Sequence, residues 1–382
     1  MIFDYIVIGA GIAGCALAYE LAPSARVCIV EAESRPGFHA TGRSAALYAP
    51  SYGGEAIRAL TRASRLFFDN PPSGFAQYPL LRKRGALHIA RSDQLLRLEQ
   101  MAEGIHKSGG RLTMLSRAES LTHVPLLRGE YVAGAAYDSD AMDIDVAALQ
   151  QGFLRDAKAQ GAVLMTNTRA NDIERRNGDW SIVTSEGVIR APLLINAAGA
   201  WADEVGQLCG ASPLGFVPLR RTALLVDAPA GVDIGAWPAV IDVDERFYFK
   251  PEAAKLLLSP ADEGPRGPGD VHPDEIDIAL GVDRVQAALD IDVRRVNHAW
   301  AGLRTFSSDR VPVVGFDPDV AGLFWCAGQG GYGIQTAPAM ARAAAAMLQH
   351  QNLPADIRTT GVSEGDLSPF RFVDQSRMRR LP

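Results

Sequence analysis

The sequence predicts an α/β fold, and three stretches carry that prediction. A short apolar run, Tyr5-Ile6-Val7-Ile8, leads straight into Gly9-Ala10-Gly11-Ile12-Ala13-Gly14 and a helix-forming stretch over 15–21, stopped by Pro23. A second apolar run, Val27-Cys28-Ile29-Val30, ends on Glu31. A third, Leu193-Leu194-Ile195, ends in the small residues Asn196-Ala197-Ala198-Gly199-Ala200 before Trp201. Strand, glycine turn, helix and strand in succession make a βαβ unit, the building block of a parallel sheet.

Each part of the first unit has a task in holding a dinucleotide. Gly9 makes the tight turn, Gly11 lets a pyrophosphate approach the backbone, and Gly14 lets helix and strand pack closely. The helix start offers free N–H groups and a positive dipole end to phosphates. Glu31, about twenty positions beyond Gly11, accepts both ribose hydroxyls and repels a 2′-phosphate. A glycine pattern alone is weak. With a strand before it, a helix after it and the acid in place, it predicts bound FAD or NAD.

At 382 residues the chain is long enough for two domains, and 47% hydrophobic with 21% charged residues is ordinary for a globular protein. A net charge of −6 gives no reason to expect nucleic acid or an anionic membrane as partner. The basic tail Arg377, Arg379, Arg380 reads as a solvated end. Cys15, Cys28, Cys209 and Cys326 are far apart and predict buried thiols, with neither a disulfide framework nor a metal site. No run of about eighteen apolar residues predicts a transmembrane segment. The start lacks a basic n-region, so the expectation is a cytoplasmic enzyme.

Beyond Glu31, Thr41-Gly42-Arg43-Ser44-Ala45-Ala46 is a small-residue stretch suited to lie against a flat ligand. Tyr48 and Tyr52 follow, and Gly53-Gly54 suits a hinge for a lid carrying an aromatic. Helices are expected over 57–68, 92–106, 146–160 and 276–289, each from its apolar periodicity. Strands are expected over 87–90 and 133–137. Asp138, Asp140, Asp143 and Asp145 lack the glycine and distal Glu of a calcium loop, and read as a turn plus helix N-terminal charges. Val163-Leu164-Met165 and the alternating 180–184, with Asn177-Gly178 between strands, read as a β-meander. A strand-rich block spans 217–258, and the Pro/Gly-rich 259–274 reads as a long surface loop.

Near the C-terminus the buried strand Leu323-Phe324-Trp325-Cys326-Ala327 precedes Gly328-Gln329-Gly330-Gly331-Tyr332-Gly333. No apolar strand ending in an acid follows, so this is not a second dinucleotide site. It predicts a glycine loop feeding a helix over 336–349, whose dipole end favours negative charge on a reduced flavin. With one dinucleotide site, electrons must come from the substrate, which favours FAD over NAD. Arg220-Arg221, Phe247-Tyr248 and Arg304 carry the groups that grip a carboxylate. Read alone, any of these is more usual as a surface arginine or core aromatic.

Taken together, the N-terminal fingerprint, Thr41-Gly42-Arg43-Ser44, Ile195-Asn196-Ala197-Ala198-Gly199-Ala200-Trp201, Trp300-Ala301-Gly302-Leu303-Arg304 and Gly330-Gly331-Tyr332-Gly333-Ile334-Gln335-Thr336 resemble the D-amino-acid oxidase and glycine oxidase family of FAD enzymes. Within that family the likeness is strongest to bacterial D-arginine dehydrogenase, and it spans nearly the whole chain.

The resemblance implies an α/β protein, α+β overall. A discontinuous Rossmann-like FAD domain would take residues 1–75, 140–216 and 300–382. A substrate domain with an antiparallel β-sheet would take 76–139 and 217–299. It implies non-covalent FAD, although Cys326 lies close to the glycine loop. Contacts would come from Ala13, Glu31, the 40–47 stretch (Thr41, Arg43, Ser44, Ala45 and Ala46 among them), Ala170 and the 330–336 stretch. Arg221, Tyr248 and Arg304 would grip the substrate carboxylate, with Tyr52 on the lid. Where the arginine-specific relative carries an acid for the guanidinium, this chain reads Gly85-Ala86, and Leu47 replaces a histidine beside the flavin.

The expected activity is therefore FAD-dependent oxidative deamination of D-amino acids with neutral or apolar side chains. Hydride passes from Cα to flavin N5, the imino acid hydrolyses to a 2-oxo acid and ammonia, and oxygen or a quinone-like carrier accepts the electrons. No side-chain base is evident. The alternatives are a 2-hydroxy-acid or secondary-amine (glycine or sarcosine type) oxidoreductase, and a non-catalytic flavoprotein assembly factor.

Overall fold

The computed structural model describes residues 1–373 and is built on two large sheets. Arg377, Arg379 and Arg380 lie outside the described residues.

The first sheet has six strands in the order Val313–Phe316, Leu323–Ala327, Leu193–Asn196, Tyr5–Ile8, Val27–Val30 and Val163–Met165. All pairs are parallel except that of Val313–Phe316 with Leu323–Ala327. Both faces are covered, which is why these strands read as continuous apolar runs. Val7, Val27, Ile29 and Ile195 point to a layer of four helices, Ile12–Leu21, Glu55–Asp69, Val146–Ala159 and Gly333–Leu348. Ile6, Ile8, Cys28 and Leu194 point to the opposite layer, where Trp180, Ile182 and Ile189 of a three-stranded meander pack with Trp325. The meander is formed by Ile173–Arg176, Asp179–Thr184 and Gly187–Ala191. Val163–Met165, expected in it, instead pairs with Val27–Val30 at the edge of the parallel sheet.

The second sheet has nine strands. Gly264–Pro265, Val217–Asp227, Lys255–Ser259, Tyr248–Glu252, Ala239–Asp242, Ala86–Ala90, Gly134–Asp138 and Thr113–Ser116 follow one another, and Val296–Phe306 also pairs with Val217–Asp227. Alternation along these strands decides which side chains meet the ligand. Leu87, Ile89, Leu224, Val226, Val240, Phe249, Leu256 and Leu258 point to a core shared with Val285 and Ala288 of the helix Glu275–Ala288. Their neighbours in sequence, Ala86, Arg221, Ala223, Ala239, Ile241, Tyr248 and Lys250, point the other way, toward the first sheet.

Two expectations are corrected here. Asp143 is not a turn charge: it lies on a strand, Met142–Ile144, and its side chain is buried between Lys250 and Arg84. Asp145 does cap its helix, accepting from Ala148 N–H at 2.8 Å. The 259–274 stretch is not merely a surface loop. Asp262 and Asp274 hold the buried Arg220, and Arg43 reaches across to Asp270. The four cysteines are free and buried, and no helix among the described residues is long and apolar enough to cross a membrane.

Candidate active site

The carboxyl ends of Tyr5–Ile8, Val27–Val30 and Leu193–Asn196 open onto a cleft of about 1840 Å³ including its mouth. That figure includes open solvent; an elongated ligand is indicated by the spread of the lining from Gly9 and Glu31 to Arg221, Tyr248 and Arg304. One end is lined by Gly9, Gly11, Ala13, Glu31 and Ala170; the other by Gly199, Arg221, Tyr248, Gly330, Gly331, Gly333 and Arg304. Thr41, Arg43, Ser44 and Ala45 line the wall between.

The glycine turn is built as its spacing requires. Gly9 has φ +102°, and a side chain on Gly14 would stand 2.0 Å from the carbonyl of Gly9. Glu31 Oε2 accepts from Ala10 N–H at 2.7 Å and Oε1 from Glu33 N–H at 2.9 Å. A carboxylate has about four acceptor positions, so two remain for ribose hydroxyls. The helix Ile12–Leu21 starts at Gly11, and its Ile12 N–H is held by Thr41 Oγ1 at 3.0 Å. At the far end the helix Gly333–Leu348 begins three residues earlier than expected, so its N-terminus comes directly off Gly330-Gly331. Gln335, buried, receives Ala49 N–H on its oxygen at 3.0 Å, while its Nε2 has no protein partner. Acceptors for ribose, glycine surfaces without side chains and an orphaned buried donor together fit FAD.

Two of the expected contact residues, Thr336 and Gly14, stand back from both cavities. Thr336 is buried and lines neither cavity; its hydroxyl donates to Tyr332 O at 2.9 Å. Gly14 lies beneath the turn and contributes packing. Arg43 ties the chain to itself, donating to Ala301 O at 2.9 Å and pairing with Asp270 at 2.5 Å. Ala46 sits at φ +44°, a left-handed conformation that a residue with a side chain adopts at a cost. Cys326 is in the core of the first sheet, where burial pushes its thiol up to about 12, so it offers no nucleophile to a flavin.

A smaller cavity of about 770 Å³ adjoins the cleft and shares Ser44, Ala45, Arg221, Tyr248, Gly331, Ile334 and Arg304 with it. Ala46, Leu47, Tyr52, Ala239, Ile241, Glu245, Phe247, Lys250, Ala261 and Gln335 complete its lining. The grip residues expected from sequence therefore converge: Arg304, Arg221, Tyr248 and Tyr52 all border one space. Burial opposes the charge of Arg304, yet Tyr52, Tyr248 and Tyr332 around it hold its pKa above the ordinary value. Tyr52 is within hydrogen-bonding range of Arg304 and packs edge-on against Tyr332 at 5.1 Å. Burial raises the pKa of Tyr52, with Arg304 pulling the other way, so it keeps its proton.

The two arginines differ in what already holds them. Arg221 donates to Asp262 O at 2.9 Å and pairs with Glu263 at 2.9 Å, and Glu263 also binds Arg310. Among the described residues Arg304 forms no ion pair with a carboxylate, so its charge is kept for a ligand.

Ala86, one residue past Gly85, does not reach the cavity. It is fully buried beneath Leu47, Ala49, Tyr52 and Ala141 and pairs with Ala239. The charged residues that do reach it, Lys250 and Glu245, were missed in the sequence. The legible signal was the alternation Tyr248-Phe249-Lys250, which puts the lysine on the same face as the tyrosine.

A family model described as DAO, FAD dependent oxidoreductase, matches residues 4–347. Glycine oxidase of Geobacillus kaustophilus is 24% identical to the chain, over 93% of it and 95% of that protein. Human mitochondrial dimethylglycine dehydrogenase is 24% identical over 93% of the chain and 43% of its own length. Among solved structures, that of the Geobacillus kaustophilus glycine oxidase superimposes with a TM-score of 0.82 at 22% identity, covering 95% of this chain and 99% of that one. Iminodiacetate oxidase from Chelativorans sp. BNC1 gives 0.79 at 22% identity, covering 96% and 99%.

Proposed function

The chain belongs to the DAO family of FAD-dependent oxidoreductases, and from that premise we propose that it oxidises D-amino acids whose side chains are neutral rather than cationic. The observation that carries the reading is Arg304, partly buried at the junction of the two cavities and, among the described residues, without a carboxylate of its own. A planar guanidinium in that position binds an α-carboxylate in bidentate fashion. Tyr248 adds a hydroxyl from the neighbouring strand, and Arg221 adds a second cation already half satisfied by Glu263. The glycine-rich 330–331 turn and the helix Gly333–Leu348 would hold the flavin end of FAD, with Glu31 at the ribose end.

When bound, FAD supplies a two-electron acceptor that converts the amine to an imine, which water hydrolyses to a 2-oxo acid and ammonia. The protein's part is orientation: fixing the carboxylate fixes Cα, and such positioning supplies much of the rate. No histidine lines the smaller cavity among the described residues, so the substrate amine must arrive or become neutral without an imidazole base.

The carboxylate grip follows the likeness to D-arginine dehydrogenase, but the side-chain preference does not. Buried Lys250 borders the cavity and disfavours a cationic side chain. Glu245 is at the exposed rim, where solvent screens its charge. A glycine- or sarcosine-type amine is the second reading, favoured by the glycine oxidase and dimethylglycine dehydrogenase relatives. We read the parallel sheet and its helices as the cofactor part and the nine-stranded sheet as the substrate part.

Anaerobic bleaching of the flavin band across D-amino acids, glycine, sarcosine and 2-hydroxy acids tests this. Bleaching by neutral D-amino acids is expected. Bleaching by 2-hydroxy acids alone would replace the reading, and no bleaching at all would leave a non-catalytic flavoprotein.

A further inference from the structure

We propose that Lys250 reads the far end of the substrate side chain, so that the preferred substrates carry an oxygen acceptor there, a carboxamide or a carboxylate. This rests on the amino-acid reading above and, among side chains that are not cationic, favours acceptor-bearing ones over apolar ones.

Lys250 is 4% exposed yet borders the substrate cavity. Its ammonium has three donors. One goes to Asp143 Oδ1 at 2.9 Å and one pairs with Glu252 at 2.8 Å. Neither acid borders the cavity, which leaves one donor for what the cavity holds. Asp143 gives only part of its charge to Lys250, because its other oxygen binds Arg84 at 2.7 Å. Arg84, Lys250 and, more weakly, the exposed Arg82 therefore face Asp143 and the half-exposed Glu252, with no net negative charge left over. An incoming acceptor needs no added counter-charge, whereas an incoming cation would meet an ammonium.

The spacing suits this division of the substrate. Tyr248 and Lys250 stand two residues apart on one strand, and their side chains leave the same face about 6–7 Å apart. With the α-carboxylate at Arg304 and Tyr248, a side-chain acceptor several bonds beyond Cα reaches Lys250. The small Ala239, which lines the cavity, keeps that part of its floor low. A site built to hydrogen-bond a polar group rejects the hydrocarbon analogue, because its own donor is then left unpaired.

The test compares kcat/KM of the FAD-loaded protein for D-glutamine, D-glutamate, D-norleucine and D-alanine. D-glutamine or D-glutamate should exceed D-norleucine by about tenfold or more, the worth of a hydrogen bond to a charged group. The better of the two tells whether the acceptor is a carboxamide or a carboxylate. Lys250→Met should bring the ratio to D-norleucine close to one, and Lys250→Arg, which keeps donors, should restore part of it. If Lys250→Met fails to retain flavin, the ratio in the unmodified protein still decides. Oxidation of D-alanine with D-norleucine equal to or better than both acceptor substrates overturns this inference alone. Flavin that no amino acid reduces, D-alanine included, overturns the amino-acid reading and this inference with it.

Discussion

The guanidinium of Arg304 occupies the space that a side chain at position 331 would need. A Cβ on Gly331 would stand 2.9 Å from its Nη1 and 3.1 Å from its Cζ. The glycine loop that follows one sheet is thus shaped to an arginine of the other, and both border the same cavity.

Gly331→Ala should therefore displace Arg304 while the loop keeps its backbone, since Gly331 is not among the left-handed glycines. The expected result is a loss of about 10- to 100-fold in kcat/KM, mostly in KM, with flavin still bound. Kinetics unchanged from the parent would mean that the guanidinium has another place to rest.

Removing the grip itself should cost at least as much as moving it. For Arg304→Ala the loss of a charged hydrogen-bonded pair in a closed site is worth about 1.5–3 kcal/mol, or roughly 10- to 150-fold in kcat/KM. Flavin absorbance should stay, because Arg304 borders the cofactor cleft only at its substrate end. Steady-state kinetics with the best substrate of the panel gives the answer, and a near-normal value would take Arg304 out of the site.

At the other end of the cleft, Glu31→Ala removes the acceptor for Ala10 and Glu33 N–H groups as well as for the ribose. FAD affinity should fall by about 1–3 kcal/mol, seen as flavin lost on gel filtration and recovered with added FAD. A variant that purifies fully yellow and holds FAD as tightly as the parent would show that the turn is held by other groups.

His88 is expected to contribute to acid sensitivity. Burial lowers its pKa to about 4, its Nε2 has no partner, and it is 4% exposed. In the unfolded chain it titrates near 6.5, so between pH 6.5 and 4 the unfolded state binds the extra proton. Its contribution is whole above pH 6.5 and is lost as pH falls toward 4, amounting to about 3 kcal/mol. Urea unfolding of His88→Leu should show a shallower decline over that window. A slope equal to the parent's would place the acid sensitivity elsewhere, for instance in the carboxylates.

The sequence by itself determined the cofactor end of this protein. Gly9, Gly11, Gly14 and Glu31 act within one βαβ unit, where a turn, a helix start and a strand end lie within about thirty residues, so spacing specifies geometry. It also supplied many of the strands and helices, since their apolar periods are local, but not the short Thr113–Ser116, Met142–Ile144 and Val313–Phe316 or the helices Arg117–His123 and Ala202–Leu208. What the chain could not show locally was how its two sheets face each other. Asp143, read as a turn charge, proved to be buried with Lys250, because that pairing joins strands more than a hundred residues apart. Ala86, expected at the substrate, proved to be covered by Leu47 and Tyr52. Thr336 spends its hydroxyl within its own helix. Only the tertiary structure decided that Arg304 is left without an acid while Arg221 is paired with Glu263, because ion pairing depends on which loops fold over a strand. The dinucleotide turn is a short-range property of the chain; the substrate cavity is a property of long-range packing.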